Sequence, residues 1–275
     1  DIVMGEFYGS LRYFQNSGTA VAPAYVERTG AQNPFAVLPV GYYVTPALAD
    51  LDGDGDLDVV VGRQDGALTY LENTSAVATP AFVVRAGPAS PLNGLVPSSV
   101  SSAPALADLD GDGDRDLVVA SQATFDFGTL DYFRNTGTAS QPAFIAVTDA
   151  SNPLGGAIAP QGIRIALGDT DADGDFDALV GRADGTFLLL ENRGANVRSP
   201  RFQAANPLRD AVAGVDVGDN ALPSLGDLDG DGDADLVSGA QTPAPLRFFE
   251  NAAVQPSLIP VTLIAGYDGG GPLTG

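Results

Sequence analysis

The sequence predicts an all-β protein, a β-propeller of four-stranded antiparallel blades, with five repeats in the chain and the first lacking its opening strand. Three observations predict it. Short apolar segments recur with a period of about 58 residues. In two copies consecutive segments are joined by Asp-Gly, at Asp65-Gly66 and Asp184-Gly185, the strongest short hairpin signal. No stretch sustains a helical period, and 34 Gly with 20 Pro make turns frequent. A parallel β-helix fits less well, because its coils are much shorter than this period.

The first element reads Pro46-Ala-Leu-Ala-Asp50, Pro104-Ala-Leu-Ala-Asp108, Ile165-Ala-Leu-Gly-Asp169 and Pro223-Ser-Leu-Gly-Asp227, and each copy leads into an acidic nonapeptide. The second is a mostly apolar run, Asp58-Val-Val-Val-Gly62 and its counterparts from Asp116, Asp177 and Asp235, which reads as a buried strand. The third appears five times and ends at Asn16, Asn73, Asn135, Asn192 and Asn251. The fourth opens with Pro at Pro23, Pro80, Pro142, Pro200 and, more loosely, Pro256, and Pro suits the first residue of an outer strand. A Gly/Pro-rich loop follows, carrying Asn33-Pro-Phe35, Pro91-Leu92, Asn152-Pro-Leu154, Asn206-Pro-Leu208 or Pro272-Leu273. The expected repeat units are about 1–45, 46–103, 104–164, 165–222 and 223–275, in a single propeller domain.

Asp1-Ile-Val-Met-Gly5 aligns with Asp58-Val-Val-Val-Gly62, so the first repeat opens at the last residue of an acidic segment. The expectation is a three-stranded N-terminal blade with no complete metal loop at Asp1. It belongs either to a piece of a longer array or to a ring that closes on an incomplete blade. The glycines at Gly269 to Gly271 read as linker.

Composition narrows the chemistry. Cys, His and Trp are absent, which removes disulfides, thiolate and imidazole ligands, cysteine nucleophiles and the Ser-His-Asp arrangement. The net charge of −22, with no Lys among the 13 basic residues, excludes nucleic acid as a partner. No apolar run approaches the roughly 20 residues of a membrane span, so no direct membrane insertion is expected. The acidity is local: the four nonapeptides hold five Asp each and, with Asp1, account for 21 of the 35 acidic residues.

Within each nonapeptide the carboxylates fall at positions one, three, five, seven and nine, with Gly at six. They are Asp50, Asp52, Asp54, Asp56 and Asp58; Asp108, Asp110, Asp112, Asp114 and Asp116; Asp169, Asp171, Asp173, Asp175 and Asp177; and Asp227, Asp229, Asp231, Asp233 and Asp235. A tight loop with this spacing turns alternate side chains inward, and a donor set of hard oxygens selects Ca²⁺, with four sites expected. At position seven the backbone oxygen is the expected ligand and the side chain is expected to point outward. An EF-hand would need Glu at position twelve, where Val61, Val119, Val180 and Ser238 stand. Asp/Gly runs also occur as solvated turns, but five carboxylates in nine residues repel one another strongly without a counter-charge.

The nonapeptide between two strands, repeated per blade, resembles the calcium loop of the FG-GAP or VCBS repeat family, which includes the integrin α-subunit head and many bacterial surface proteins. The stretch from Tyr132 to Phe144 is similar to the bacterial branch. The resemblance covers essentially the whole chain and implies that the twenty aspartates above are the calcium ligands. It implies a secreted or cell-surface protein, with the periplasm as a further compartment. Arg63 and Arg182, with Tyr42, Tyr43, Phe125 and Phe127, could form a sugar-binding face, although packing between blades accounts for the aromatics more simply.

Three functions are compatible with these features. The first is a non-enzymatic, calcium-stabilised extracellular binding or adhesion module recognising glycan or protein. The second is a polysaccharide lyase, or a propeller appended to one, with Tyr or Arg as base and charge neutraliser. The third is an architectural subunit of a larger surface assembly. Near-identical blades without a unique polar cluster favour the first over the second, and catalytic residues are expected to be absent.

Overall fold

The computed structural model describes residues 1–275 apart from 20–21, 76–79, 123–126, 156–158, 161–163, 195–198, 207–209, 241–245, 252–257 and 262–275. Five antiparallel sheets follow one another along the chain, with two short 3-10 turns and no α-helix among the described residues. The first sheet has three strands, β1 (Ile2–Gly5), β2 (Leu11–Asn16) and β3 (Tyr25–Arg28). The second is β4 (Thr45–Ala49), β5 (Asp58–Gly62), β6 (Leu68–Asn73) and β7 (Phe82–Arg85). The third is β8 (Val100–Ala107), β9 (Asp116–Gln122), β10 (Phe127–Asn135) and β11 (Phe144–Ala146), joined by the two-residue β12 (Ala159–Pro160). The fourth is β13 (Arg164–Gly168), β14 (Asp177–Gly181), β15 (Phe187–Asn192) and β16 (Phe202–Ala204). The fifth is β17 (Leu222–Gly226), β18 (Asp235–Gly239), β19 (Arg247–Asn251) and β20 (Leu258–Val261). This is the expected five-blade propeller with a three-stranded first blade. The sequences at Pro256, Pro272-Leu273, Gly269 to Gly271 and Phe125 lie outside the described residues.

The third blade departs from the four-strand pattern. Its β10 is nine residues long and projects beyond the blade, and β12 pairs with that projection through Phe127↔Pro160 and Gly128↔Ala159. The insertion that lengthens β10 would otherwise leave unpaired backbone groups on its edge, and β12 satisfies some of them.

The second strand of each blade carries the core because both of its faces are covered, so its sequence is continuously apolar rather than alternating. The period of two then sends neighbouring residues into different seams. Val59 and Val61 pack with Leu71 against the first blade, whereas Val60 and Tyr70 pack with Leu117 and Val119 of the third. Val118, Ala120 and Tyr132 meet Ala178 and Val180 between the third and fourth blades, and Leu179 meets Leu236 between the fourth and fifth. Four clusters thus fill four consecutive seams. Tyr25 of the first blade has its phenol pKa raised by burial and by the charge of Asp235 in the fifth, so the two terminal blades lie within electrostatic reach of one another.

The glycine that ends the second strand is set by this stacking. A Cβ on Gly62 would meet the carbonyl oxygen of Ser102 in the next blade at 2.1 Å, and one on Gly181 would meet that of Ala221 at 2.2 Å. Adjacent blades therefore approach backbone to backbone at these points.

Candidate metal centres

Each acidic nonapeptide is the connection between the first and second strands of a blade. The ladder closes at Ala49↔Asp58, Ala107↔Asp116, Gly168↔Asp177 and Gly226↔Asp235, so the carboxylate at position nine is the first residue of the second strand. Equivalent connections in successive blades place all four loops on one face of the propeller.

The loops fold around their own carboxylates. Asp50 accepts the N–H groups of Gly53 (2.7 Å) and Gly55 (3.0 Å), Asp108 those of Asp112 (3.1 Å) and Gly113 (3.0 Å), and Asp227 those of Gly230 (2.6 Å) and Gly232 (3.2 Å). Asp169 accepts the N–H of Gly174 at 3.0 Å. This wrapping needs left-handed backbone at position four as well as six, with φ of +74° and +95° at Gly53 and Gly55. In the third loop position four is Ala172, at φ +61°. A side chain there costs roughly 1–2 kcal/mol, of which the freer unfolded chain of a glycine returns about 0.4–1. Ala172→Gly is therefore expected to stabilise the protein by about 0.5–1 kcal/mol in denaturant unfolding, and a loss of stability would contradict the strain.

Three carboxylate oxygens lie within 4.8 Å of one another in every loop: Asp50, Asp52 and Asp58; Asp108, Asp110 and Asp112; Asp169, Asp171 and Asp177; Asp227, Asp229 and Asp235. Positions one and three are common to all four groups, completed by position nine in three loops and position five in the second. Position five is exposed in all four loops, at Asp54, Asp112, Asp173 and Asp231, and its Oδ1 takes the N–H of position seven at 2.9, 3.2, 3.0 and 3.1 Å. Position seven does not point outward as expected. Asp114 is buried and Asp56, Asp175 and Asp233 are half-buried, deeper than their position-five neighbours, because the turn at Gly113 and its equivalents folds the chain back toward the blade.

Position nine has a second role that the spacing did not reveal. Asp58 accepts the backbone N–H of Asn73 at 2.8 Å on one oxygen, and the Tyr70 hydroxyl at 2.8 Å and Leu51 N–H at 3.0 Å on the other. Asp116 repeats this with Asn135 (2.8 Å), Tyr132 (2.9 Å) and Leu109 (3.3 Å). Asp1 does likewise with Asn16 (2.7 Å) and Tyr13 (2.5 Å). In the fourth blade Leu189 replaces the tyrosine, and the hydroxyl of Thr170, at a loop position held elsewhere by Leu, reaches Asp177 at 2.5 Å instead. In the fifth blade, Asp235 is held by the N–H groups of Asn251 (3.0 Å) and Leu228 (2.9 Å). The recurring Asn in turn shapes the next hairpin: Asn135 Oδ1 accepts from Gly137 (3.0 Å) and Ala143 (2.9 Å), and Asn16 Oδ1 from Gly18 and Ala24 (both 2.9 Å). The signal was in the sequence, as Tyr three residues before Asn in three repeats and Thr in the loop where that Tyr is missing.

Burial drives the carboxylate pKa values upward, and crowded like charges add to it. Asp116 and Asp175 are pushed up to about 7, Asp114 and Asp177 to about 6, in each case with desolvation as the leading cause. Asp52, Asp58, Asp110, Asp171 and Asp235 are raised for the same reason. A folded-state pKa above the unfolded value of about 3.9 means that the stabilising contribution is complete at low pH and is lost as pH rises through about 6 to 7. In ion-free protein the melting temperature is therefore expected to rise as pH falls from about 8 to 5. With a bound divalent cation, protons compete for the same oxygens, and the slope is expected to reverse. Melting curves of resin-stripped and calcium-loaded protein across this range test it, and parallel slopes would contradict it.

The donor set suits a hard divalent cation. Only oxygen is offered, and the buried Oδ1 atoms of Asp110, Asp114, Asp169 and Asp175 have no hydrogen-bond partner among the described residues. The carboxylates grouped above are those that would hold the ion.

The other sequence candidates separate. Arg63 is ion-paired with Asp65 in its own turn. Arg182, its counterpart, lines a cleft between the third and fourth blades. Tyr43 packs on Phe7 of the first blade at 4.0 Å between ring centres, whereas Tyr42 is exposed. Phe127 begins β10.

Residues 50–119 and 108–180 match the FG-GAP-like repeat family, so the chain carries FG-GAP-like repeats. No curated protein sequence matches the chain. Among solved structures, the chain is similar to one described as the structural basis of specific recognition of non-reducing terminal N-acetylglucosamine by an Agrocybe aegerita lectin. The two are 21% identical, with 95% of this chain and 61% of that chain covered and a TM-score of 0.47.

Proposed function

We propose that the protein is a calcium-stabilised, non-enzymatic binding module that works outside the cell or at its surface and recognises a glycan or protein ligand. The observation that carries this reading is the repeated convergence of three carboxylates within 4.8 Å in each of four loops on one face. Calcium is the favoured ion because the ligands are all oxygen and its coordination tolerates irregular geometry. Each ion would sit beside the anchor at position nine and tie the first two strands of a blade to the third. This is a structural use of metal, and it leaves the opposite face and the rim of the ring for recognition. Among the described residues the loops are near-copies of one another, which suits a scaffold better than a catalytic centre. Modules of this kind bind calcium at about 10⁻⁴ to 10⁻³ M, matched to extracellular rather than cytosolic levels. Calorimetric titration is expected to count four calcium ions per chain in that range. No heat of binding up to about 10 mM calcium, well above that affinity range, would overturn the reading.

A further inference from the structure

We propose that the cleft between the third and fourth blades binds an acidic oligosaccharide, with Arg134, Arg182 and Arg201 receiving its carboxylates. The proposal rests on the reading of the propeller as a binding module and names the class of ligand. The cleft has a volume of about 1090 Å³ and is walled by β10 and β15. It extends from Asp110, in the acidic loop, to Arg182, at the turn after β14. It therefore runs the length of the six-residue β15, roughly 20 Å at 3.3 Å per residue, and suits an extended ligand.

The arginines are what single it out. Arg12, Arg63, Arg85 and Arg193 are ion-paired, Arg28 donates to Gln15 and Arg247 to the Asp216 carbonyl, and Arg164 has its own contacts. Among the described residues, Arg115, Arg134, Arg182 and Arg201 have neither an ion pair nor a side-chain hydrogen bond, and the last three all line this cleft. The Nε of Arg182 is buried without a hydrogen-bond partner. In a chain of net charge −22, carboxylates are abundant, and Asp110 at one end of the cleft lies within electrostatic reach of Arg134, yet among the described residues none closes an ion pair with these three guanidinium groups. Planar, permanently charged forks of this kind match carboxylates from outside.

The remaining lining favours a saccharide. The half-buried Leu188 and Val147 offer apolar surface to the faces of sugar rings, and Ser199 and Gln203 offer neutral donors and acceptors to hydroxyls. The walls β10 and β15 are each paired on both sides, so they present no free backbone edge for an acidic peptide to join as a strand.

The test is calorimetric titration of the calcium-loaded chain with a hexasaccharide of alternating glucuronate and N-acetylglucosamine. A neutral chito-hexaose and a poly-aspartate peptide of similar length are the comparators. Binding of the acidic sugar alone is expected, weakened about tenfold or more by the double substitution R134Q/R182Q with an unchanged melting temperature. If the double variant is unstable, Arg201→Gln alone, on an exposed residue, is expected to weaken binding several-fold. Equal binding of the neutral sugar, preference for the peptide, or undiminished binding by a folded variant would overturn the proposal. Hexasaccharide binding by a protein that takes up no calcium would remove the calcium reading and leave this one. Calcium uptake without hexasaccharide binding would do the reverse.

Discussion

Stripping calcium from the protein is expected to lower its melting temperature by about 20 °C. At free calcium about 100-fold above the dissociation constant, each site contributes roughly 2.7 kcal/mol, so four contribute about 11. An unfolding entropy of about 2.1 cal/mol/K per residue gives ~0.58 kcal/mol/K for 275 residues, and the ratio sets the shift. The direction is reinforced by what remains after removal, since every loop keeps three or more carboxylates within a few ångströms and burial already opposes their ionisation. Magnesium restores less, because its stricter octahedral demand fits a loop of this span poorly. Scanning calorimetry with calcium, with chelator, and with magnesium after chelation measures all three. A transition that chelation leaves unmoved would show that the loops hold themselves by their internal hydrogen bonds.

The blade order, the strand positions and the first blade's missing strand were legible because each rests on local pattern. Val59 to Val61 read as a doubly buried strand, and Asp65-Gly66 as the turn after it, without knowledge of any partner. The features that were not legible depend on contacts between repeats or on a fold within the loop. Gly62 read as a strand end, whereas the reason for glycine is the Ser102 carbonyl of the next blade. Asp114 was expected to face outward, because counting alternate residues assumes an extended chain, and the left-handed Gly113 breaks that alternation. The cleft was beyond reach for the same reason. Arg134 and Arg201 lie on different blades, and only the stacking of β10 against β15 gives them a common surface.

Asp116→Ala is expected to destabilise the protein by about 4 kcal/mol whether or not calcium is present, and Asp112→Ala to do so only in its presence. Asp116 is 1% exposed and accepts three hydrogen bonds, from Asn135, Tyr132 and Leu109. Its removal orphans three donors, two on β10 and one in the loop, at roughly 1–3 kcal/mol each, partly offset by relief of the desolvation that pushes its pKa up to about 7. Asp112, by contrast, is exposed and belongs to the carboxylate group of the second loop, so its contribution depends on the ion it helps to hold. With the entropy above, the first substitution lowers the melting temperature by about 7 °C in both calcium and chelator. The second lowers it by a few degrees in calcium and leaves it level or raises it in chelator, where one repelling charge has gone. Calorimetry of both variants under both conditions makes a two-by-two comparison. If Asp116→Ala became harmless in chelator, position nine would be a metal ligand alone, and the link from loop to third strand would not be what holds the blade together.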